Sequence, residues 1–308
     1  MVIAPRVHRV RAPNASFMTL DGTNTYLLDL GDGCALAIDP GPRSSAHLDA
    51  IVHEARSAGL AIVAIAVTHG HPDHAPGAEP LARQLGVPVY AHRDARFSHD
   101  RTLADGEAIA YGTRVVHAIE APGHAREHLV FATDDDGALF AGDVVIGRGT
   151  VVVAPPGGDM RAYQATLAKL RDREPASRRL YAGHGEPLAD PRATFDAYLA
   201  HRAAREATIL ASLAAAPATV PALVETIYAD VARVLWPAAA RQIDAHLLAL
   251  EREGRLTSER LDRAPSAAER AILTPDLSHL ASEADTELIR AELGFELAID
   301  HVRRYALT

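Results

Sequence analysis

With 308 residues, 48% hydrophobic and 23% charged, the chain carries enough apolar material for a substantial core, and that balance excludes a disordered or low-complexity protein. A formal net charge of −9 argues against a surface given over wholly to nucleic acid, although a local basic groove fits within that total. The single cysteine, Cys34, excludes an intrachain disulfide and suits a reducing compartment; MVIAPRVHRVRAPN holds no signal-like apolar block and Gly59–Val67 is too short to span a bilayer, so the expectation is a cytoplasmic protein without a membrane anchor.

From Arg6 to about Leu188, short β-type runs alternate with helical ones, the pattern of an α/β protein. Strands are predicted at Tyr26–Leu30, Ala35–Asp39, Ala61–Thr68, Val87–Ala91, Thr113–Ile119, Leu129–Thr133 and Ala138–Ala141. Ser44–Ala58 reads as a helix, because Leu48, Ile51, Val52 and Ala55 share one face, a serine opens it and Gly59 closes it. Asp159–Leu170 reads likewise, with Asp159 as its cap and Gly157 and Gly158 as the linker into it. After Pro191 the chain turns helical and alanine-rich. A long amphipathic helix carries Phe195, Tyr198, Leu199, Ile209, Leu210 and Leu213, and helices at Val220–Tyr228 and Pro237–Glu253 follow. A hairpin candidate at Gly254–Leu261 completes the outline of a winged helix. The expected organisation is a catalytic domain over 1–190, a winged-helix domain over 191–263, and a helical extension over 264–308. That extension has no assigned role; covering the cleft or building a homo-oligomer are both open to it.

The most informative stretch is IVAIAVTHGHPDHAPG, Ile62–Gly77, where an apolar strand runs into a loop holding three histidines and an aspartate. Imidazole nitrogen and carboxylate oxygen are the donors zinc accepts, and strand ends are where α/β proteins place their sites. His69 and His71, two apart, can share one cation, and Asp73 and His74 can turn toward a second. Three later strand ends offer further ligands beside glycine: His124 in APGHAREH, Asp143 in LFAGDVV and His184 in LYAGHGEP. Isolated His-x-His pairs mean little, but four ligand-type residues within six positions, with three glycine-flanked partners, are hard to produce without a metal. His128, four residues after His124, is a candidate for orienting the ligands from behind, weighed against a purely structural histidine. His92 and His117 are given no role, and Asn24 and Thr25 are read as turn chemistry beside Gly22.

This set resembles the metallo-β-lactamase superfamily, motif by motif from about Asn14 to Leu188. The resemblance implies a four-layer αββα sandwich. It places His69, His71 and His124 on a first metal, Asp73, His74 and His184 on a second, and Asp143 between them. Aspartate rather than cysteine at the bridging position is similar to the glyoxalase II and nuclease branches, not to antibiotic-destroying lactamases. LDGTNTYLL (Leu20–Leu28), the GHAREH turn (Gly123–His128) and the helix beginning HRAAREATIL (His201–Leu210) resemble the β-lactamase-like endoribonuclease group with its C-terminal winged helix.

The resulting expectation is a hydrolase with two zinc ions, iron or manganese being acceptable to the same donors. A hydroxide shared by the two cations attacks the substrate, while Asp73 orients it and accepts its proton. Hydrolysis of a small-molecule ester or thioester ranks above cleavage of single-stranded RNA. The reason is charge: between His201 and Arg263 arginines and carboxylates are equal in number, whereas a nucleic-acid helix carries excess positive charge. A diiron redox protein and a non-catalytic regulator rank below both, since a carboxylate commonly replaces His71 in the former and the latter would not need all seven ligands.

Overall fold

The computed structural model describes residues 1–16, 18–173, 176–274 and 301–308. In chain order the elements are β1 (Val2–Ala4), β2 (Val7–Arg11), β3 (Asn24–Gly31), β4 (Cys34–Ile38), α1 (Ser45–Ser57), β5 (Ala61–Ala66), α2 (Ala78–Leu85), β6 (Val89–His92), β7 (Arg101–Leu103), β8 (Ala108–Tyr111), β9 (Arg114–Glu120), β10 (Leu129–Thr133), β11 (Ala138–Gly142), α3 (Met160–Arg171), β12 (Arg179–Ala182), α4 (Pro191–Ala215), β13 (Ala218–Thr219), α5 (Val220–Ile227), α6 (Trp236–Arg252), β14 (Leu256–Arg260), α7 (Ala267–Leu273) and β15 (Arg303–Leu307). They fall into two compact units, one of Met1–Val151 with Lys169–Phe195, the other of Val152–Ala168 with Asp196–Thr308. No described helix is long and apolar enough to cross a membrane.

The first unit contains a seven-stranded sheet in the order β1-β2-β3-β4-β5-β6-β7 and a five-stranded sheet in the order β12-β11-β10-β9-β8. Period-two alternation explains how they stack. Leu28, Leu36, Ile38 and Ala64 from the larger sheet join Val116, Leu129, Phe131, Phe140 and Tyr181 from the smaller in one apolar layer. On the opposite face of the larger sheet, Leu27, Ala37, Ile65 and Val67 receive Leu48, Ile51, Val52 and Ala55 of α1, the stripe read from sequence. Ser44 caps that helix by accepting from the His47 N–H, and Gly59 leaves it at φ +71°. The strands β4, β5, β6 and β7 run parallel, as do β11 and β12, so the ends of β5, β11 and β12 can present loops to a common rim.

All seven predicted strands are present. β1, β2, β7 and β8 escaped prediction because they are short or, as in VHRVR of β2, mostly polar; their pairing with neighbours supplies what propensity does not.

The second unit packs Ile209, Leu213, Leu223, Val224, Trp236, Ile243, Leu247, Leu250 and Tyr305 into its own core. Two expectations need correction here. The Gly254–Leu261 segment is not a local hairpin: β14 pairs antiparallel with β15, Ser258 opposite Tyr305, in a small sheet ordered β13-β15-β14. The extension read as helical is so at Ala267–Leu273, but its last residues form strand β15; residues 275–300 of it lie outside the described residues. A five-residue strand that pairs with segments remote in sequence leaves no local signature. The neutral charge balance has a structural counterpart: Arg161 binds Glu206 and Glu253, Arg255 binds Glu206, and Arg241 binds Asp244.

Candidate metal centre

The seven residues expected to bind metal converge in the first unit, at the ends of β5, β11 and β12 and in the turn between β9 and β10. Their donor atoms form three overlapping groups, each with all members within 4.8 Å: His69, His71 and His124; His69, His74 and Asp143; Asp73, His74 and His184. The sharing of His69 and His74 means that the groups are one continuous cluster. Within it His124 Nε2 lies 3.0 Å from His71 Nδ1, and His74 Nε2 lies 3.3 Å from His184 Nε2. His184 Nε2 stands 3.1 Å from Asp73 Oδ2 and 3.3 Å from Asp143 Oδ2. Asp143 also reaches the other side, 3.8 Å from His124 Nε2.

Local structure explains the convergence. His69 and His71 follow the buried strand β5 directly, and His74 N–H closes a turn onto the His71 carbonyl. Below the His184 loop, the Tyr26 hydroxyl donates to the Ala182 carbonyl over 2.7 Å, and the Tyr26 ring packs edge-on against Phe140 and Tyr181. Glycine is required at 183, where a Cβ would stand 2.4 Å from Asp143 Oδ1 and 2.6 Å from His74 Cε1.

A cation fits this donor set. Ligands placed about 2.0–2.1 Å from a tetrahedral ion lie roughly 3.3 Å from one another, close to the separations present. His69 Nε2 is buried without a hydrogen-bond partner, an arrangement that a metal would relieve. The electrostatics of the two sides differ. Burial, reinforced by neighbouring imidazoles, holds His69 well below the ordinary histidine value and His71 down to about 3, so each ring is neutral and keeps a lone pair on one of its two nitrogens. Burial also opposes charge on His74 and His184, yet Asp73 and Asp143 overcome it and raise both, His184 to about 10. The same imidazoles hold Asp73 and Asp143 well below the usual carboxylate range against the cost of burial. The carboxylate side therefore calls for positive charge, which protons supply when no metal does.

Several residues behind the cluster were not read from sequence. Asp39, at the end of β4, accepts from the Thr68 N–H and hydroxyl at 2.7 Å each and lies 2.9 Å from His74 Nδ1. Thr68 Oγ1 in turn lies 3.0 Å from His69 Nδ1. The signal was present in LAIDP, an acidic side chain at the end of a buried strand, but it carried no spacing pattern. Glu127 accepts the Gly70 N–H at 3.0 Å, joining the loop of His69 and His71 to that of His124. His128, by contrast, is the residue the sequence offered for orienting the ligands: it is buried, stacks on His69 with centroids 4.7 Å apart, and its Nε2 accepts the Asp143 N–H at 3.2 Å. Asn24 and Thr25 are not local turn chemistry. Asn24 Nδ2 donates to the carbonyls of Ala182 and Gly185 on either side of His184, and Thr25 Oγ1 donates to the Asp39 carbonyl. His92 lies against Glu120 and Asp94, and His117 against Asp134, away from the cluster.

Residues 18–184 match the metallo-beta-lactamase superfamily, and residues 219–263 match the beta-lactamase associated winged helix domain. The chain belongs to the metallo-beta-lactamase superfamily: it is a hydrolase of that superfamily, an α/β sandwich with a C-terminal winged-helix domain. It is 33% identical over 275 residues to the beta-lactamase-like protein 2 homolog of Drosophila melanogaster, covering 81% of this chain and 89% of that one. An atrochrysone carboxyl ACP thioesterase of Aspergillus terreus is 32% identical over 216 residues, 69% of this chain and 64% of that relative's length. A metallo-beta-lactamase family protein of Thermus thermophilus shares the fold, with a TM-score of 0.71 at 23% identity over 84% of this chain and 97% of its own.

Proposed function

We propose that the chain is a dinuclear metal hydrolase acting on an ester or thioester of a small molecule in the cytoplasm. The observation that carries this reading is the set of three overlapping donor groups at the strand ends, in which Asp143 reaches both sides. His69, His71 and His124 would hold one cation, Asp73, His74 and His184 the other, with Asp143 shared and His128 holding the Asp143 loop from behind. Zinc is the first choice from the donor types; iron and manganese are compatible with the same mixture. The thioester assignment draws support from the relatives named as thioesterases.

Bound cations supply Lewis acidity, which brings the ionisation of water toward neutral pH and polarises the carbonyl under attack. The protein's own contribution is orientation and proton handling. Asp73, ionised and at the edge of the cluster, orients the attacking water and accepts its proton. The fixed positions of His74 and His184 keep that carboxylate from swinging away. Cleavage of single-stranded RNA is the second reading, favoured by the winged-helix domain and opposed by that domain's charge balance.

Metal-quantified wild-type protein and Asp143→Ala, assayed on an ester and thioester panel and on single-stranded RNA, separate the two. Metal-dependent acyl hydrolysis with RNA left intact is expected. Metal-dependent RNA cleavage, with no acyl turnover, would reverse the assignment.

A further inference from the structure

The LDGTNTYLL segment has no part in the ligand set, yet one of its residues touches both outer ligands of the carboxylate side. We propose that Thr23 is a positioning residue that, oriented by Asn14, holds Asp73 and the His184 loop together for the second cation; this rests on the dinuclear reading above.

Thr23 is fully buried, and its Oγ1 lies 3.3 Å from Asp73 Oδ2. The direction of that hydrogen bond is set from the other side. Asn14 Nδ2 donates to Thr23 Oγ1 at 3.0 Å, so the hydroxyl proton is left for Asp73. The Asn14 side-chain carbonyl accepts the Thr23 N–H at 2.9 Å, which pins the amide in the orientation needed to donate. On the backbone, Thr23 forms a bridge with His184, and the adjacent Asn24 N–H donates to the Gly183 carbonyl at 2.7 Å. Gly22 makes this approach possible: at φ +115° a side chain there would be strained, and its Cβ would stand 2.2 Å from the Ala12 carbonyl oxygen.

The consequence is selective. Thr23 contacts Asp73 through its side chain, whereas on the three-histidine side Thr68 lies against His69, Glu127 accepts the Gly70 N–H and His128 stacks on His69. Loss of the hydroxyl therefore frees Asp73 without disturbing the three-histidine side. Partners that orient metal ligands from behind are worth roughly 10–100-fold in metal affinity.

Calorimetric titration of apo protein with zinc tests the idea on wild type, Thr23→Val, Thr23→Ser and Asn14→Ala. In wild type two binding steps are expected. Thr23→Val should keep the tighter or looser step assigned to the histidine side, identified by its loss in His71→Ala, and weaken the other by about tenfold or more. Thr23→Ser should restore it, and Asn14→Ala should fall between, since the hydroxyl proton is then free to turn away. A single binding step in wild type would overturn the dinuclear reading. Two wild-type steps that are unchanged in Thr23→Val, or weakened equally together with a lowered apo melting temperature, would overturn the positioning role alone.

Discussion

The two sides of the cluster are built from different chemistry. The side of His69, His71 and His124 is all nitrogen and buried, with His69 and His71 low in proton affinity, while the side of Asp73, His74 and His184 couples imidazoles to carboxylates and gathers positive charge. They are also braced differently. The histidine side leans on aromatic stacking and a backbone clamp, His128 over His69 and Glu127 on Gly70; the carboxylate side is held by hydrogen-bonding side chains, Asp39 on His74 and Thr23 on Asp73. The difference teaches that a cluster of metal donors need not be symmetrical: one side offers neutral donors matched to a borderline-soft cation, and the other supplies the charge that balances it.

The sharpest break of this asymmetry is Asp143→Ala, because Asp143 reaches both sides. Activity should fall by several orders of magnitude and both metal affinities should drop, as read by turnover and metal analysis after dialysis. A variant that lost only one cation would place Asp143 on one side instead of between them. Next comes the pair Asp73→Asn and His71→Ala, each removing a donor from one side only. Both should cost turnover severely, but Asp73→Asn should do so even in excess zinc, where occupancy is restored; near-normal turnover of the fully loaded variant would remove Asp73 from proton transfer.

Asp39→Asn is expected to be milder. It keeps the shape but loses the charge beside His74 Nδ1, so the carboxylate-side cation should weaken roughly 10–100-fold while the histidine side is little changed. Equal weakening on both sides would mean that Asp39 acts as much through Thr68 and His69 as through His74.

The last effect leaves the metal aside and concerns stability and His47, which reaches Asp39 through Thr25. Thr25 Oγ1 gives its proton to the Asp39 carbonyl, so His47 Nε2, 2.9 Å away, must be the donor to that oxygen, and His47 Nδ1 is left buried without a partner. Burial accordingly lowers His47 to about 4. Above pH 6.5 the ring is neutral whether the chain is folded or not. As pH falls from 6.5 toward 4 the unfolded chain takes up a proton that the folded one refuses, and stability drops by on the order of 3 kcal/mol before levelling off. Urea midpoints measured across that range should show the decline in wild type and lose this part of it in His47→Gln; an unchanged slope would show that other groups set the acid response.

Much of this was legible in the linear chain. The ligand types, their spacing from His69 to His74 and the glycine beside His124, Asp143 and His184 are local patterns, and so are the α1 stripe and the Asp159 cap, whose side chain accepts the N–H groups of Arg161 and Ala162. Periodicity and capping act over a few residues, so they survive in a string of letters. The braces do not. Asp39 meets His74 across 35 positions and Thr23 meets Asp73 across 50, contacts that exist only once β3, β4 and β5 are in register and their ends share a rim. The wing of the second unit has the same origin, since β14 finds its partner in Arg303–Leu307 and not in its own turn. Non-local pairing selects among many short polar segments by geometry, and geometry of that kind is settled by packing of the whole sheet.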